Sequence, residues 1–451
     1  MTGRRVTALA ALAVLVLAGC AGQTNRPFGV SSTGAVLTGA RQCLSDVDGR
    51  WAWQWRELGT QAWSSGGASQ YDCPAKPQTI GHVLSGLKPD TSYQYRLLVD
   101  LQQPCTLSVP ASCGDVYPVD ANGVANGTSY DTFTTQPQCD DVQGPTESLA
   151  AFVSSNPAGT AADRRVLCLR QGTQTIGQVN GLKAWSTLTP RGEVDGTKEP
   201  ATLYGDIALA NRGATVEDLK IAGCYAQSGC AADRNKTLDV RASDVSLRHL
   251  EITQQGGRNA DVLQCVLIDS AAQLTGVKLE FSKVHSCGSE SSGNMDHGLY
   301  CSSASGPMIA GNWFYDNEGF GIQLYPNCDG AMAVGNVVAE NGAACDVDGS
   351  STGAAYVNGF CGFGRENVSR PIFPPIHCGT TSGSRAIEMV LYDPLSVPGT
   401  TDCYGSQLTP TGTLQADPQF VDRANYDFRM RNPFARAKLG IYATILPGPR
   451  W

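Results

Sequence analysis

The residues best suited to proton chemistry fall in one stretch of the chain. Asp296-His297 and Tyr300 stand close together, and Lys283 and His285 lie a short way upstream. His, Lys and Tyr can each act as a general base when held against an acidic proton. The reaction then also needs a cation, a metal or a protonated acid to neutralise charge that builds on the substrate. The catalytic candidates are therefore His297, Asp296, Tyr300, Lys283 and His285. Around them stand Trp313, Tyr315 and Tyr325, whose rings can stack on sugars, and Gln323 and Glu251, which can hydrogen-bond hydroxyls. These five are the substrate-binding candidates. Hydrolysis of a glycosidic bond would instead need two carboxyl groups flanking that bond. Only Asp316 and Glu318 come near this arrangement, and they read as turn residues. No cofactor motif is evident and no metal ligand set is assigned. Calcium on scattered Asp stays open, although no D-x-D-x-D loop with a closing Glu is present.

The elements that must position these residues are short and repeated. Five segments align: Asp218-Leu-Lys-Ile-Ala222, His249-Leu-Glu-Ile-Thr253, Phe281-Ser-Lys-Val-His285, Gly311-Asn-Trp-Phe-Tyr315 and Gly335-Asn-Val-Val-Ala339. The fourth place is always apolar: Ile221, Ile252, Val284, Phe314, Val338. Two places earlier stand Leu219, Leu250, Ser282, Asn312 and Asn336. The period of about 24–32 residues, without 3.6 periodicity inside it, predicts a solenoid of strands rather than of helices. A second series, Cys265-Val-Leu-Ile-Asp269, His297-Gly-Leu-Tyr-Cys301 and Phe320-Gly-Ile-Gln-Leu324, sets Leu267, Leu299 and Ile322 in register. Asn317 and Asn341 match at the following turns, where stacked amides can satisfy backbone groups.

Strand parity then sorts the candidates. If Ile221 and its equivalents point inward, Lys220, Glu251, Lys283, Trp313 and Val337 form one outward row, and Ala222, Thr253, His285, Tyr315 and Ala339 the next. Glu251, Lys283, His285, Trp313 and Tyr315 would share one patch. On the other series Tyr300 and Gln323 are neighbours, with Tyr325 and Asp296-His297 at the strand ends. Residues 342–383, with Cys345, Cys361 and Cys378, break the period and read as a Cys-rich loop projecting from the solenoid.

The N-terminus and the cysteines speak to compartment. Arg4 and Arg5 precede an apolar run, Val6 to Leu17, too short for a permanent membrane span and suited to an export signal. It ends in Leu17-Ala18-Gly19-Cys20, which looks like a bacterial lipobox. Residues 1–20 are thus read as a lipoprotein signal peptide with Cys20 as the lipid attachment site, and 21–33 as a linker. The location implied is outside the cell, on the outer face of a bacterial membrane. Of 17 cysteines, removing Cys20 leaves an even number without zinc-site spacing, the pattern of disulfides in an oxidising compartment. Cys105 with Cys113 and Cys224 with Cys230 are the short-range pairings expected. A net charge of −8 excludes the basic surface that nucleic-acid binding needs.

Residues 34–137 read as short strands. Leu87-Lys88-Pro89-Asp90-Thr91-Ser92-Tyr93-Gln94-Tyr95-Arg96 resembles the tyrosine-corner region of fibronectin type III domains, where a Tyr near a strand start hydrogen-bonds back to the preceding corner. Gly127-Thr128-Ser129-Tyr130-Asp131-Thr132-Phe133-Thr134-Thr135 resembles the last strand of that domain. Trp51, Trp53 and Trp55 alternate and so share one strand face; they read as core packing, with a sugar-stacking platform as the alternative.

Residues 138–450 resemble right-handed parallel β-helix proteins of the pectate-lyase-like superfamily. The resemblance rests on Asp296-His297-Gly298-Leu299-Tyr300, Gly311-Asn312-Trp313-Phe314-Tyr315-Asp316-Asn317 and Gly321-Ile322-Gln323-Leu324-Tyr325-Pro326. The tail Asp417-Pro418-Gln419-Phe420-Val421-Asp422, with Asp427-Phe428-Arg429, resembles that superfamily's closing segment. It implies an all-β chain, a right-handed parallel β-helix preceded by a small fibronectin type III-like β-sandwich. It also implies a polysaccharide partner, commonly a polyuronide, lying on the exposed face of one sheet. Met295-Asp296-His297 lacks the Pro of the Asp-Pro-His motif of epimerase and alginate-active relatives. The expectation is a monomeric, lipid-anchored surface protein that binds and cleaves polysaccharide as a lyase or glycosidase. The alternative is a non-catalytic protein that binds glycans or the cell envelope.

Overall fold

A computed structural model describes residues 21–24, 34–42, 49–71, 78–89, 91–100, 131–135, 138–144, 146–170, 172–190, 201–223, 236–254, 264–288, 296–363, 375–392, 401–403, 408–444 and 446–449. The signal segment with Cys20, and the pairings expected of Cys105 with Cys113 and Cys224 with Cys230, lie outside these residues. The chain divides into two compact units near residue 135.

The first unit holds two antiparallel sheets. One contains Ala21–Thr24, Gly34–Gln42 and Gln78–Ser85. The other runs in the order Ser64–Tyr71, Gly49–Glu57, Ser92–Asp100, Asp131–Thr134. Leu37, Leu84, Trp53, Tyr95, Leu97 and Phe133 are buried. Trp53 lies 6.2 Å from Tyr95, and Trp55 lies 5.4 Å from His82 of the other sheet. Trp53 therefore packs in the interior and Trp55, half-buried, lies against the other sheet; the side chain of Trp51 is outside those described. The Tyr93 hydroxyl accepts the Lys88 N–H at 2.9 Å, tying the strand start to the preceding corner.

The second unit is a parallel β-helix. Successive coils build three long parallel stacks, and Leu274–Thr275, Ala304–Ser305 and Cys328–Asp329 add a short fourth one. Sheet A stacks Lys220–Gly223, Glu251–Gln254, Lys283–His285, Trp313–Tyr315, Val337–Ala339, Phe360–Gly362 and Val390–Tyr392. Sheet B stacks Lys236–Val240, Gln264–Ile268, His297–Cys301, Phe320–Leu324, Ala343–Val347, Ile376–Cys378 and Thr401–Cys403. Sheet C climbs from Asp141–Val142 through Ser246–Arg248 and Met308–Ala310 to Thr409–Thr411. Thr202–Leu209 pairs with sheet A through its first half and sheet B through its second, so the two begin as one sheet. Sheet C is the series the sequence did not disclose. Most of its strands are three residues long, too short for a period of two to register.

Ile221, Ile252, Val284, Phe314 and Val338 pair on successive rungs and are all buried. Each contributes roughly 1.5–3 kcal/mol by leaving water. Sheets C and A are joined by a two-residue corner whose first residue, such as Asp218, His249 or Phe281, has φ near 50–55°. The second residue points inward and builds a polar ladder. Ser282 Oγ accepts Leu250 N at 3.0 Å, Asn312 Oδ1 accepts Ser282 N at 2.8 Å, and Asn336 Oδ1 accepts Asn312 N at 3.0 Å. At the A–B corner, Asn341 Oδ1 takes Asn317 Nδ2 at 2.9 Å. Buried corner amides are thus paired coil to coil, as their burial requires.

Two expectations are corrected. Residues 342–363 and 375–383 are not a projecting loop. They carry Ala343–Val347, Ala355–Val357, Phe360–Gly362 and Ile376–Cys378, which continue all three sheets. The small and polar residues that hid these strands sit where the coil turns or where side chains face a disulfide, Cys345–Cys361. The register of Leu267 is also shifted by one. Val266, not Leu267, pairs with Leu299 and then Ile322 in the interior row, and Leu267 pairs with Tyr300 on the outer row. A one-residue slip exchanges the two faces of a strand.

Disulfides staple the coils: Cys139–Cys168, Cys265–Cys287, Cys301–Cys328 and Cys345–Cys361. A short helix, Leu149–Ser155, is N-capped by Ser148, whose Oγ accepts Ala151 N. Its Leu149, Phe152 and Val153 join the solenoid core. The tail forms a hairpin, Phe420–Asp422 with Asp427–Met430, and a helix, Pro433–Leu439. Phe428, Met430, Ala435 and Leu439 pack on the outer side chains of sheet A.

Candidate functional site

Sheet A brings together the patch expected of it. Glu251, Lys283 and Trp313 are consecutive partners in one row, and His285 pairs with Tyr315 in the next. Glu251 Oε1 lies 2.6 Å from Lys220 Nζ and 3.5 Å from His285 Nε2. Hydrogen bonds from His285 and Lys220 hold the Glu251 carboxyl down to about 2 against the cost of its burial. The His285 ring lies flat on Tyr315 at 4.6 Å, and its Nδ1 is 3.1 Å from Ser286 Oγ, which donates to Asp316. The stem of Lys283 runs beside Gly448.

The tail closes much of this patch. Trp313 and Tyr315 are buried, in contact with Phe428 at 5.6 and 5.5 Å, and Tyr426 lies on Tyr315 at 4.7 Å. Neither ring can serve as an open platform for a sugar, which corrects their assignment to substrate binding. Burial also drives the Tyr315 hydroxyl well above the usual tyrosine value. Glu251, His285 and Lys220 form an ion-paired cluster, so Glu251 is committed to internal partners.

Sheet B presents a different surface. Its outer row runs Leu267, Tyr300, Gln323, Asp346, His377 on adjacent strands, about 4.8 Å per step. Tyr325 follows two residues after Gln323, is 38% exposed and meets Tyr300 edge to face at 6.3 Å. Gln323 hydrogen-bonds the Asp346 carboxyl. Asp346 Oδ1 is 2.6 Å from His377 Nδ1; the carboxyl side chain is 1% exposed and the imidazole 19%. Burial raises the Asp346 carboxyl above the ordinary Asp value although His377 pulls the other way. Tyr300 is pushed up to about 12, by burial first and then by Tyr325, Asp269 and Asp346. A hydroxyl so shifted is a proton donor at neutral pH, not a base.

Asp296 and His297 do not reach this surface. Both are buried. His297 Nδ1 accepts the Phe320 N–H at 3.1 Å, and the ring lies between Tyr300 and Phe320 at 5.6 Å from each. The hydrogen bond from Phe320 N ties His297 to the start of the next strand, and the burial of both side chains sets them apart from the exposed face of sheet B. The adjoining glycines make this packing possible: a Cβ on Gly298 would lie 2.7 Å from Asn317 Nδ2, and one on Gly321 2.3 Å from Val338 Cγ1.

Of the proposed site residues, sheet B thus gathers Tyr300, Gln323 and Tyr325, while sheet A holds Lys283, His285, Glu251, Trp313 and Tyr315. Asp346 and His377 were missed because their segment was read as a loop. The signal was present in Cys345-Asp-Val-Asp348, which aligns with Ile322-Gln-Leu-Tyr325 once Ala343–Val347 is accepted as a strand. Among the described residues, no three His, Cys, Asp or Glu side chains converge in a group that could hold a metal ion.

Comparison with known proteins agrees with the architecture. A family model described as the right handed beta helix region matches residues 206–360. No curated protein sequence matches the chain. Among solved structures, the sensor domain of the anti-sigma factor RsgI4 of Pseudobacteroides cellulosolvens is 15% identical over 27% of this chain and 99% of that one, with a TM-score of 0.20. The A-module of the mannuronan C-5 epimerase AlgE4 of Azotobacter vinelandii is 13% identical over 59% and 89%, with a TM-score of 0.30. The catalytic domain of a GH87 alpha-1,3-glucanase is 10% identical over 87% and 93%, at 0.19. Scores this low transfer no activity. The second unit is a right-handed parallel β-helix whose sheet B carries Tyr300, Gln323, Asp346 and His377 in one outer row.

Proposed function

We propose that this chain is an exported, lipid-anchored surface protein whose β-helix binds polysaccharide along sheet B and cleaves it there. The observation that carries the reading is the outer row Tyr300, Gln323, Asp346, His377. Four side chains able to stack on sugars, bond hydroxyls or move protons stand on consecutive rungs, at a spacing close to the repeat of an extended glycan. His377, oriented by the buried Asp346 carboxyl, is the proton-transfer group, and Tyr300 is a hydrogen-bond donor. The lipobox at Cys20 and the coil-stapling disulfides support export. The three- and four-stranded sheets of the first unit, with the Tyr93–Lys88 bond, support a fibronectin type III-like spacer.

The test is turnover on a panel of polysaccharides, read as new reducing ends and as ultraviolet-absorbing unsaturated uronides. Product formation abolished by His377→Ala and reduced by Tyr300→Phe is expected. Retention of a glycan without product from any polymer would replace cleavage with binding alone.

A further inference from the structure

We propose that the polymer held by sheet B is an uncharged polysaccharide rather than a polyuronide. This rests on the reading that sheet B is the glycan face, and it follows from the chemistry of that face. Two rows point the same way: Leu267, Tyr300, Gln323, Asp346 and His377, and two residues further on, Asp269, Ser302, Tyr325 and Asp348. That the rows meet is shown by Arg241, which bonds Asp239 two residues before it, and by Tyr325 against Tyr300.

The cations of this face gather at one end. Arg241 Nε donates to Asp239 Oδ2 at 2.9 Å, and Lys236 Nζ lies 3.7 Å from the same oxygen. From Asp269 onward the described side chains of the two rows include Asp269, Asp346 and Asp348 but no Lys or Arg. His377 is engaged with Asp346. The Asp348 carboxylate accepts the Gly349 and Thr380 N–H groups.

A polyuronide laid along the strand stack would place about one carboxylate over each coil, since sugar and coil repeats are similar. Among the described residues of these two rows, those carboxylates would meet Asp269 and the Asp346–His377 pair but no Lys or Arg to neutralise them, and like charges on a partly desolvated surface repel. Elimination from a uronide needs that same neutralisation in the transition state. What the face does offer suits hydroxyls. The Gln323 amide both donates and accepts, the Tyr300 and Tyr325 hydroxyls donate, and the exposed Tyr325 ring can take a sugar face.

The experiment is affinity electrophoresis of the full chain in gels containing a neutral β-glucan, a neutral mannan, polygalacturonate or alginate, at low and at physiological salt. Retardation by at least one neutral polymer is expected, weakened at least tenfold by Tyr325→Ala and insensitive to salt, with none by either polyuronide. Gln323→Lys, which adds a lysine to the outer row, is expected to create polyuronide retardation that salt abolishes. Stronger retention by a polyuronide than by both neutral polymers, lost in Tyr325→Ala, would overturn this inference and leave sheet B as the glycan face. Retention that Tyr325→Ala and Gln323→Lys leave unchanged, or no retention by any polymer, would overturn both.

Discussion

Nδ1 of His377 lies 2.6 Å from Oδ1 of Asp346, joining an almost fully buried carboxyl to a partly exposed imidazole on the next coil. If this pair moves protons, His377→Ala should lower kcat by about 10²–10⁴-fold. Asp346→Asn keeps the shape but replaces the acceptor-only carboxylate with a neutral amide that can also donate, so the imidazole tautomer is no longer fixed and its charged form is no longer favoured. It should lower kcat with little change in KM. Equal losses in both parameters for the two variants, accompanied by a lower Tm, would mark the pair as structural.

Glu251 sets an acid limit on stability. Its folded value of about 2 lies below the ordinary Glu value near 4.5. The contribution is therefore present above pH 4.5 and is lost as pH falls through about 2. Allowing for solvent screening at a partly open cluster, it amounts to roughly 1–2 kcal/mol. Urea midpoints of the wild type should fall over this window, and those of Glu251→Gln should fall by less.

The covered face of sheet A gives a contrasting prediction. Phe428 is buried against Trp313, Tyr315 and Phe420. Phe428→Ala should cost about 3–5 kcal/mol and shift tryptophan emission to the red. Trp313→Phe should leave glycan retention unchanged. A loss of retention with intact stability would return Trp313 to the ligand face.

Much of this architecture was readable because interior stacking leaves a periodic mark. Ile252, Val284 and Phe314 recur at coil spacing because each must fill the same column. Asn312 with Asn336, and Asn317 with Asn341, recur because each amide satisfies the coil before it. The mark fades in two places. Where a disulfide fills the interior, as at Cys345–Cys361, the apolar signal drops and the coil looks like a loop. Where the chain's own tail covers a sheet, outward aromatics such as Trp313 and Tyr315 look like a binding surface. Parity assigns a side chain to the outside of a strand, but a distant segment decides whether the outside meets water.

The amide ladders should be costly to cut. Asn341 is buried; its Oδ1 accepts both Asn317 N and Nδ2, and its Nδ2 donates to Phe314 O at 3.0 Å. Asn341→Ala strands several buried groups and should lose about 3 kcal/mol, given roughly 1–3 kcal/mol per unsatisfied group. A change under 1 kcal/mol in chemical unfolding would show that water replaces the amide.

Reduction should also loosen the coils. Cys301–Cys328 closes a segment of 27 residues between buried positions. Replacing both with Ala should cost about 2–4 kcal/mol, seen as a lower Tm that a reducing agent no longer affects at this bridge.

The two-residue corner between sheets C and A is the same in coil after coil, whereas the connection from A to B is as short as 340–342 and as long as 363–375. One edge of the solenoid therefore behaves as a spine whose length is not negotiable, and the opposite edge as a margin open to insertion. That margin leads directly into the strands bearing Tyr300, Gln323 and His377. Descendants of this chain can change the length of these connections, coil by coil, without disturbing the rise that keeps its rungs in step.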